Sequence, residues 1–379
     1  MTEFKKIIAS IAAALVSLSV TIPVLAAATL HPYDVNGDGN VSMADYTVLT
    51  MLLDGYKPLS YDKYDVTNNG VVSYADAATI FDYYRYGSSA SSASVANFNA
   101  LTPPTADIAS IYNSITYLKR NCSTGTITEY TLNTNGDEAA STVSPKWSTP
   151  MELDPNETAV VKIKFLDHPD YKGSGTIIDN HIIATAAHNL YDAEEGYSDI
   201  AIQVIGEQNQ VLNTITPSYI HLPKMYTVDN GSNSNDYALI YVDEDLSQYG
   251  MFEIGLALDS FVTDTTGEYS VKVSGFPGNM PEDARYVSEG SVYAEANIIG
   301  ETGLVKPDLF NYYTNTSTGD SGGPAYIEET YEINGVEYNC KTMIGIHISG
   351  LHFGSTNFGW SRRITADQLR FYRANTNLN

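Results

Sequence analysis

From residue 158 onward the chain alternates between short apolar runs and polar breaks. TAVVKIKF (158–165), SGTIID (174–179), HIIATA (181–186), YALIYV (237–242) and YSVKVSGF (269–276) are rich in Val, Ile, Thr and Tyr, and each is bounded by Gly, Pro, Asn or Asp. Such runs predict short strands, and Asn334-Gly335 between YEI and VEYNCKTMIGI predicts a tight hairpin turn. The pattern changes at the end: in ITADQLRFYRAN (364–375), Ile364 and Leu369 fall on one face of a helix that Thr365 is placed to cap. Many strands and one terminal helix predict an antiparallel barrel or sandwich.

The N-terminal part has a helical period instead. Val48, Leu49, Leu52 and Leu53 recur at helical spacing, and so do Ala77, Ile80, Phe81 and Tyr84. Each group follows a twelve-residue loop, and the loops start thirty-one residues apart, at Asp34 and Asp65, as an internal repeat. In the first loop Asp34, Asn36 and Asp38 take positions 1, 3 and 5, Gly39 the sharp turn, the Asn40 carbonyl position 7 and Asp45 position 12. In the second, Asp65, Thr67, Asn69, the Val71 carbonyl and Asp76 take the same roles. Alternating oxygen donors of this kind wrap a hard cation that takes six to eight oxygens, which points to Ca2+. The second loop has two carboxylates where the first has three, so weaker binding is expected there. Val41 and Val72, both at position 8, are placed to pair as a short strand between the loops.

Residues 1–28 have two lysines near the start, an apolar run from Ile7 to Leu25 and a small-residue A-x-A site, the pattern of a secretory signal peptide. A membrane anchor is the alternative, for which the run is barely long enough. No later segment is apolar enough to span a bilayer. SSASSASVA, within 88–99, reads as a flexible linker. A formal charge of -25, from 20 Lys and Arg against 45 Asp and Glu, disfavours nucleic acid and anionic membranes as partners. Cys122 and Cys340 are the two cysteines. In an exported chain they invite a disulfide, with free, inert thiols as the alternative.

The loop-helix duplicate, without the helix that precedes an EF-hand loop, resembles a dockerin over residues 32–87. Dockerins plug enzymes into cohesin domains of bacterial cellulosome scaffolds. The resemblance therefore implies structural calcium, a cohesin partner and an extracellular, cellulosome-associated location. It places partner recognition at loop positions 10 and 11, here Met43 and Ala44, then Tyr74 and Ala75. A calcium-stabilised module without a partner is the plainer alternative.

The candidate chemistry lies in TSTGDSGGPAY (316–326). A hydroxyl is a poor nucleophile near neutral pH, so Ser321 needs a base and a group to orient that base. His188 in TAAHNL and Asp236 in NSNDYALI each adjoin a predicted strand, which gives the chain order His, Asp, Ser. The N–H groups of Gly319 and Ser321 are placed to form an oxyanion hole. TAAH, the aspartate before a strand and GDSGGP together resemble the trypsin-like serine proteases over residues 141–379. The fold implied is mainly β: a two-barrel chymotrypsin-like antiparallel domain with a C-terminal helix, behind a small α-helical calcium-binding module. The activity implied is peptide-bond hydrolysis with no catalytic cofactor. The non-enzymatic alternative is a protease-like module that holds peptides without cutting them.

In that family the residue six before the nucleophile, here Asn315, lies at the base of the specificity pocket. SGFPGN (274–279), IGIHISG (344–350) and Thr316 resemble the glutamyl endopeptidases of Gram-positive bacteria. That implies substrate-carboxylate binding by Thr316 and His347. GDSGGP departs from the GNSGSP of many such enzymes. By the same comparison residues 100–140 form a prosegment, maturation falls near 141–144, and Asp320 is the residue that pairs with a newly freed N-terminus. A Cys122–Cys340 disulfide is then one way to keep the module attached after the cut.

Overall fold

The computed structural model describes residues 31–36, 41–53, 62–86, 113–134, 148–154, 156–228, 233–262, 269–280, 283–293, 308–333, 336–353 and 356–376. Asp38, Asn40, the signal peptide, the linker, the expected cleavage region at 141–144 and the Asn334-Gly335 turn lie outside these residues.

Helix α1 (Met43–Leu53) and helix α2 (Tyr74–Tyr86) follow the two loops as their spacing predicts. Leu49, Leu52, Leu53, Ala77 and Ile80 are all buried. The short strand β1 (Val71–Val72) departs from expectation. It pairs antiparallel with a strand of the large domain, Val71 opposite Ala257 and Val72 opposite Leu256. The expected Val41–Val72 pairing is absent among the described residues. The edge of β1 finds its ladder partners, and Val71 its apolar neighbours, in the large domain, where it belongs to the same core cluster as Val273 and Phe310.

The next strands form one antiparallel sheet. They are β2 (Asn113–Asn121), β3 (Ile127–Thr134), β5 (Val160–Phe165), β6 (Lys172–Asp179), β7 (Ile182–Thr185), β10 (Ile200–Ile205), β11 (Val211–Ile215), β12 (Tyr219–Pro223) and β13 (Ala238–Tyr241). Between them lie β4 (Glu152–Leu153) and the small hairpin β8 (Tyr191–Asp192) with β9 (Gly196–Tyr197). The nine strands run in the order β11-β10-β5-β6-β7-β13-β12-β2-β3. The hairpin β2-β3 falls within residues 100–140, the stretch expected to be a prosegment, yet it extends this sheet by pairing with β12. Tyr117 anchors it: the ring is fully buried, stacks on Phe371 of the C-terminal helix at 4.2 Å, and shares a 3.0 Å hydrogen bond with the Tyr237 hydroxyl.

The second sheet contains β14 (Glu253–Ile254), β16 (Ser270–Gly275), β17 (Tyr286–Tyr293), β18 (Leu309–Tyr312), β19 (Pro324–Ile333), β20 (Val336–Phe353) and β21 (Thr356–Arg363), with β4 attached to β17. β15 (Leu256–Ala257) is the strand that receives β1. Because β21 pairs with both β18 and β20, six of these strands close into a barrel, which leaves no exposed edge within that ring. The C-terminal helix Ala366–Thr376 buries Leu369, Phe371 and Tyr372, and Ile364 just before it is buried as expected. The expected Thr365 cap is not made by its side chain, whose buried hydroxyl has no hydrogen-bond partner among the described residues; its carbonyl accepts from Leu369 N–H.

The expected disulfide is not formed. Both thiols are free, Cys122 just after β2 in the first sheet and Cys340 on β20 in the second, opposite Glu329. Burial raises the pKa of each thiol, and at Cys340 the Glu253 and Glu329 carboxylates raise it further, so neither is poised for exchange.

Candidate active site

The site lies where the two sheets meet. β7 ends at Thr185 and leads into a single 3-10 turn, Ala187–Asn189, which carries His188. A second 3-10 turn, Asn233–Asn235, delivers Asp236 to the head of β13, and β13 pairs directly with β7. Adjacent strands therefore bring together two residues far apart in sequence. The Asp236 carboxylate, almost fully buried, accepts from the His188 backbone N–H at 3.0 Å through Oδ1 and lies 2.7 Å from His188 Nδ1 through Oδ2. The imidazole remains 33% exposed. Burial by itself would lower its pKa, but the charge and hydrogen bond of Asp236 outweigh that, and the net shift is upward.

Ser321 comes from the second sheet, in the turn that precedes β19. Gly319 has φ of 104° and Gly322 has φ of 88°, left-handed values that favour glycine. A Cβ on Gly319 would also collide with the Phe276 carbonyl, and one on Gly322 with the Ser174 carbonyl. The N–H groups of Gly322 and Gly323 are engaged, donating to the carbonyls of His347 and Asp320. Those of Gly319 and Ser321 donate to nothing among the described residues. Two free amides beside a serine are what a developing oxyanion requires.

Two residues outside the sequence reading tie the sheets together at this point. Asn189 Nδ2 donates to the Ser321 carbonyl at 2.8 Å, and Ser174 N–H donates to the same oxygen at 2.8 Å. Ser174 Oγ donates to the Gly319 carbonyl at 2.7 Å, while the peptide that carries the Gly319 N–H is held through its Thr318 carbonyl, which accepts from Gly278 N–H at 2.7 Å. Asn189 stands next to His188 in TAAHNL, a position that could have drawn attention to it; Ser174 gave no such signal. The Ser321 hydroxyl makes no hydrogen bond among the described residues, which leaves its side chain free to rotate about the Cα–Cβ bond. Such rotations are fast, and catalytic contacts commonly tighten only with substrate bound.

On the pocket side, Thr316 and His347 are both buried. His347 Nδ1 lies 2.6 Å from the Tyr312 hydroxyl, which lies 2.7 Å from Ser361 Oγ. Burial, reinforced by the nearby His188, pushes the His347 pKa down to about 3. Asn315 has both ends of its side-chain amide taken, donating to the Thr149 carbonyl and accepting from Asn357. Its amide thus ties the segment before Ser321 to Thr149 and Asn357, with one N–H and one lone pair left over. Asp320 is buried, accepts from Ser317 N–H at 2.8 Å and has no ion-pair partner among the described residues. Burial raises its pKa to about 7, against smaller downward pulls from the Ser317 N–H and then Lys172.

The cation loops can be tested on their donors. In the second, Thr67 Oγ1 lies 2.9 Å from Asp76 Oδ1 and 3.4 Å from Asp65 Oδ1, so the hydroxyl and both carboxylates converge. In the first, Asp45 accepts from the N–H groups of Asn36 and Ser42, and Asp34 is buried close by. The second set fits a hard cation held by oxygens; of the first, Asp38 and Asn40 lie outside the described residues.

The antiparallel two-sheet architecture and the His-Asp-Ser arrangement together define a serine endopeptidase of the trypsin-like class. Residues 173–335 match the trypsin-like peptidase domain and residues 32–83 the dockerin type I domain. The chain carries a trypsin-like peptidase domain behind a dockerin module. No curated protein sequence matches it. Among solved structures it is similar to a Glu endopeptidase in complex with MPD, at 21% identity over 60% of this chain and 96% of that one, with a TM-score of 0.45.

Proposed function

We propose that His188, Asp236 and Ser321 hydrolyse peptide bonds, with a preference for Glu or Asp before the scissile bond. The chain acts outside the cell, attached through its module to a cohesin of a multi-enzyme scaffold. The reading rests on one juxtaposition: an imidazole oriented by a buried carboxylate, beside a serine flanked by two unoccupied amides.

With Nδ1–H held by Asp236, the Nε2 lone pair takes the Ser321 proton as Oγ adds to the substrate carbonyl carbon. The carbonyl oxygen becomes an oxyanion between the N–H groups of Gly319 and Ser321. Each such donor is worth about 3–4 kcal/mol in the transition state. Collapse of the adduct expels the amine, which takes the proton from Nε2 and leaves an acyl-serine. Water repeats the sequence and releases the acid.

The acidic preference is supported by the wall behind Thr316. If Ser361 donates to the Tyr312 oxygen and Tyr312 donates to His347 Nδ1, the ring proton is placed on Nε2, as a donor. His347 Nε2 has no protein partner among the described residues, and a neutral donor there suits a carboxylate. Profiling a mixed peptide library with wild type and Ser321→Ala tests the whole reading. Cleavage after Glu and Asp that disappears in the variant is expected. Equal rates after neutral residues would remove the preference, and a Ser321 that resists fluorophosphonate would favour the peptide-holding alternative.

Calcium, when bound, supplies the positive charge that orders the Asp34, Asn36, Asp45 and Asp65, Thr67, Asn69, Asp76 donor sets. Maturation near 141–144 would not free the module, because β2-β3 lies upstream of the cut and is built into the first sheet. Electrophoresis under denaturing conditions should give two pieces that co-elute on a native column. Asp320, buried without a cation among the described residues, is the group that a new N-terminus would neutralise.

A further inference from the structure

The second loop is part of an interface as well as a loop. Glu329 projects from β19 of the peptidase domain, is 7% exposed, and accepts at Oε1 from Asn69 Nδ2 at 2.8 Å and from Ser73 Oγ at 2.9 Å. Its other oxygen accepts from Thr342 Oγ1. Asn69 and Ser73 hold loop positions 5 and 9, both on the cation side of such a loop. The same segment is fastened by the β1–β15 ladder and by Leu258 N–H donating to the Gly70 carbonyl at 2.8 Å. Asp65, Asp76 and Glu329 are thus three buried carboxylates on one contact, and none forms an ion pair with Lys, Arg or His among the described residues. Buried charges of one sign are costly unless an opposite charge is supplied. The first loop has no such carboxylate from the peptidase domain among its described hydrogen bonds, and Ala44 at its recognition position is exposed while Ala75 in the second is buried.

We infer that Glu329 couples cation binding in the second loop to docking of the module on the peptidase domain. It supplies from outside the loop the negative charge that Thr67 does not, through the residues at positions 5 and 9. The docked state then binds the cation more tightly than the undocked one. By reciprocity the cation tightens docking by the same factor. This rests on the reading that the Asp65–Asp76 loop takes calcium.

The test uses the full chain carrying Ser321→Ala, so that it stays intact, titrated with Ca2+ by calorimetry, with Asp65→Asn marking which event belongs to the second loop. Glu329→Gln keeps the shape and an acceptor oxygen but loses the charge. It is expected to weaken the second-loop event about tenfold, as outer partners of metal ligands do, and to leave the first unchanged. Hydrogen exchange at the Val72, Leu256 and Leu258 amides should slow about tenfold with Ca2+ over EGTA in the protein that retains Glu329, and not in the Glu329→Gln variant. Equal second-loop affinities in the two proteins, or exchange indifferent to Ca2+, would overturn the coupling. Absence of any event sensitive to Asp65→Asn would overturn the calcium reading itself, a result distinct from the first.

Discussion

His188 and His347 are imidazoles of one site held by different regions, the first at the seam between the sheets and the second in the wall of the closed barrel. Both are drawn from water, which disfavours the charged ring. At His188 a carboxylate 2.7 Å away overrules burial and the pKa rises; at His347 the partner at 2.6 Å is a phenol, and the pKa falls to about 3. A carboxylate neighbour thus lets the partly exposed His188 take a proton, while deeper burial and the nearby His188 keep His347 neutral. Role is assigned by the surroundings, not by the residue type.

Removing that difference should have the largest effect. Asp236→Asn, which offers the ring an amide in place of a carboxylate, is expected to lower kcat by about 10⁴ with KM little changed, measured on a Glu-containing peptide. Next is His347→Phe, which fills the space but cannot donate. It should lower kcat/KM for acidic peptides by about 10², the worth of a hydrogen bond to a charged group, and spare neutral ones. Equal losses on both would make His347 structural. The pH profile sharpens the contrast further. Activity needs neutral His188, whose folded pKa lies above 6.5, so kcat/KM should fall about tenfold per unit as pH drops below that raised value. His347 titrates too low to add a second limb in the same window.

The last effect concerns stability. Asp320 has a folded pKa of about 7, above that of an unfolded carboxylate, so the folded state holds its proton more firmly. Its contribution is complete below about pH 4 and is lost as pH rises through 7, up to about 4 kcal/mol in all. Asp320→Asn in uncleaved protein should flatten that decline in denaturant melts. Wild type and variant losing stability in parallel between pH 4 and 7 would show that Asp320 is not the group responsible.

Much of the site was legible because its chemistry is local. The glycines around Ser321 announce a turn with left-handed φ, and the loops at Asp34 and Asp65 state their donors in order. Asn189 and Ser174 were not legible. They act by donating to backbone carbonyls of a segment more than a hundred residues away, and an Asn or Ser carries no mark of which carbonyl it will meet. Tyr312 and Ser361 were missed for the same reason. The expectation of a disulfide failed on a related point: an even pair of cysteines says nothing about which sheet each will join.

Sequence by itself determined the alternation that makes strands, the repeat that makes the module, and the residue types able to perform nucleophilic chemistry, since these depend on neighbours within a few positions. Tertiary structure alone decided that β2-β3 belongs to the peptidase sheet, that β1 pairs outside its own module, and that Glu329 meets Asn69 and Ser73. Those outcomes turn on which unpaired strand edge and which buried charge lie closest once the chain is compact, quantities set by packing across the whole molecule.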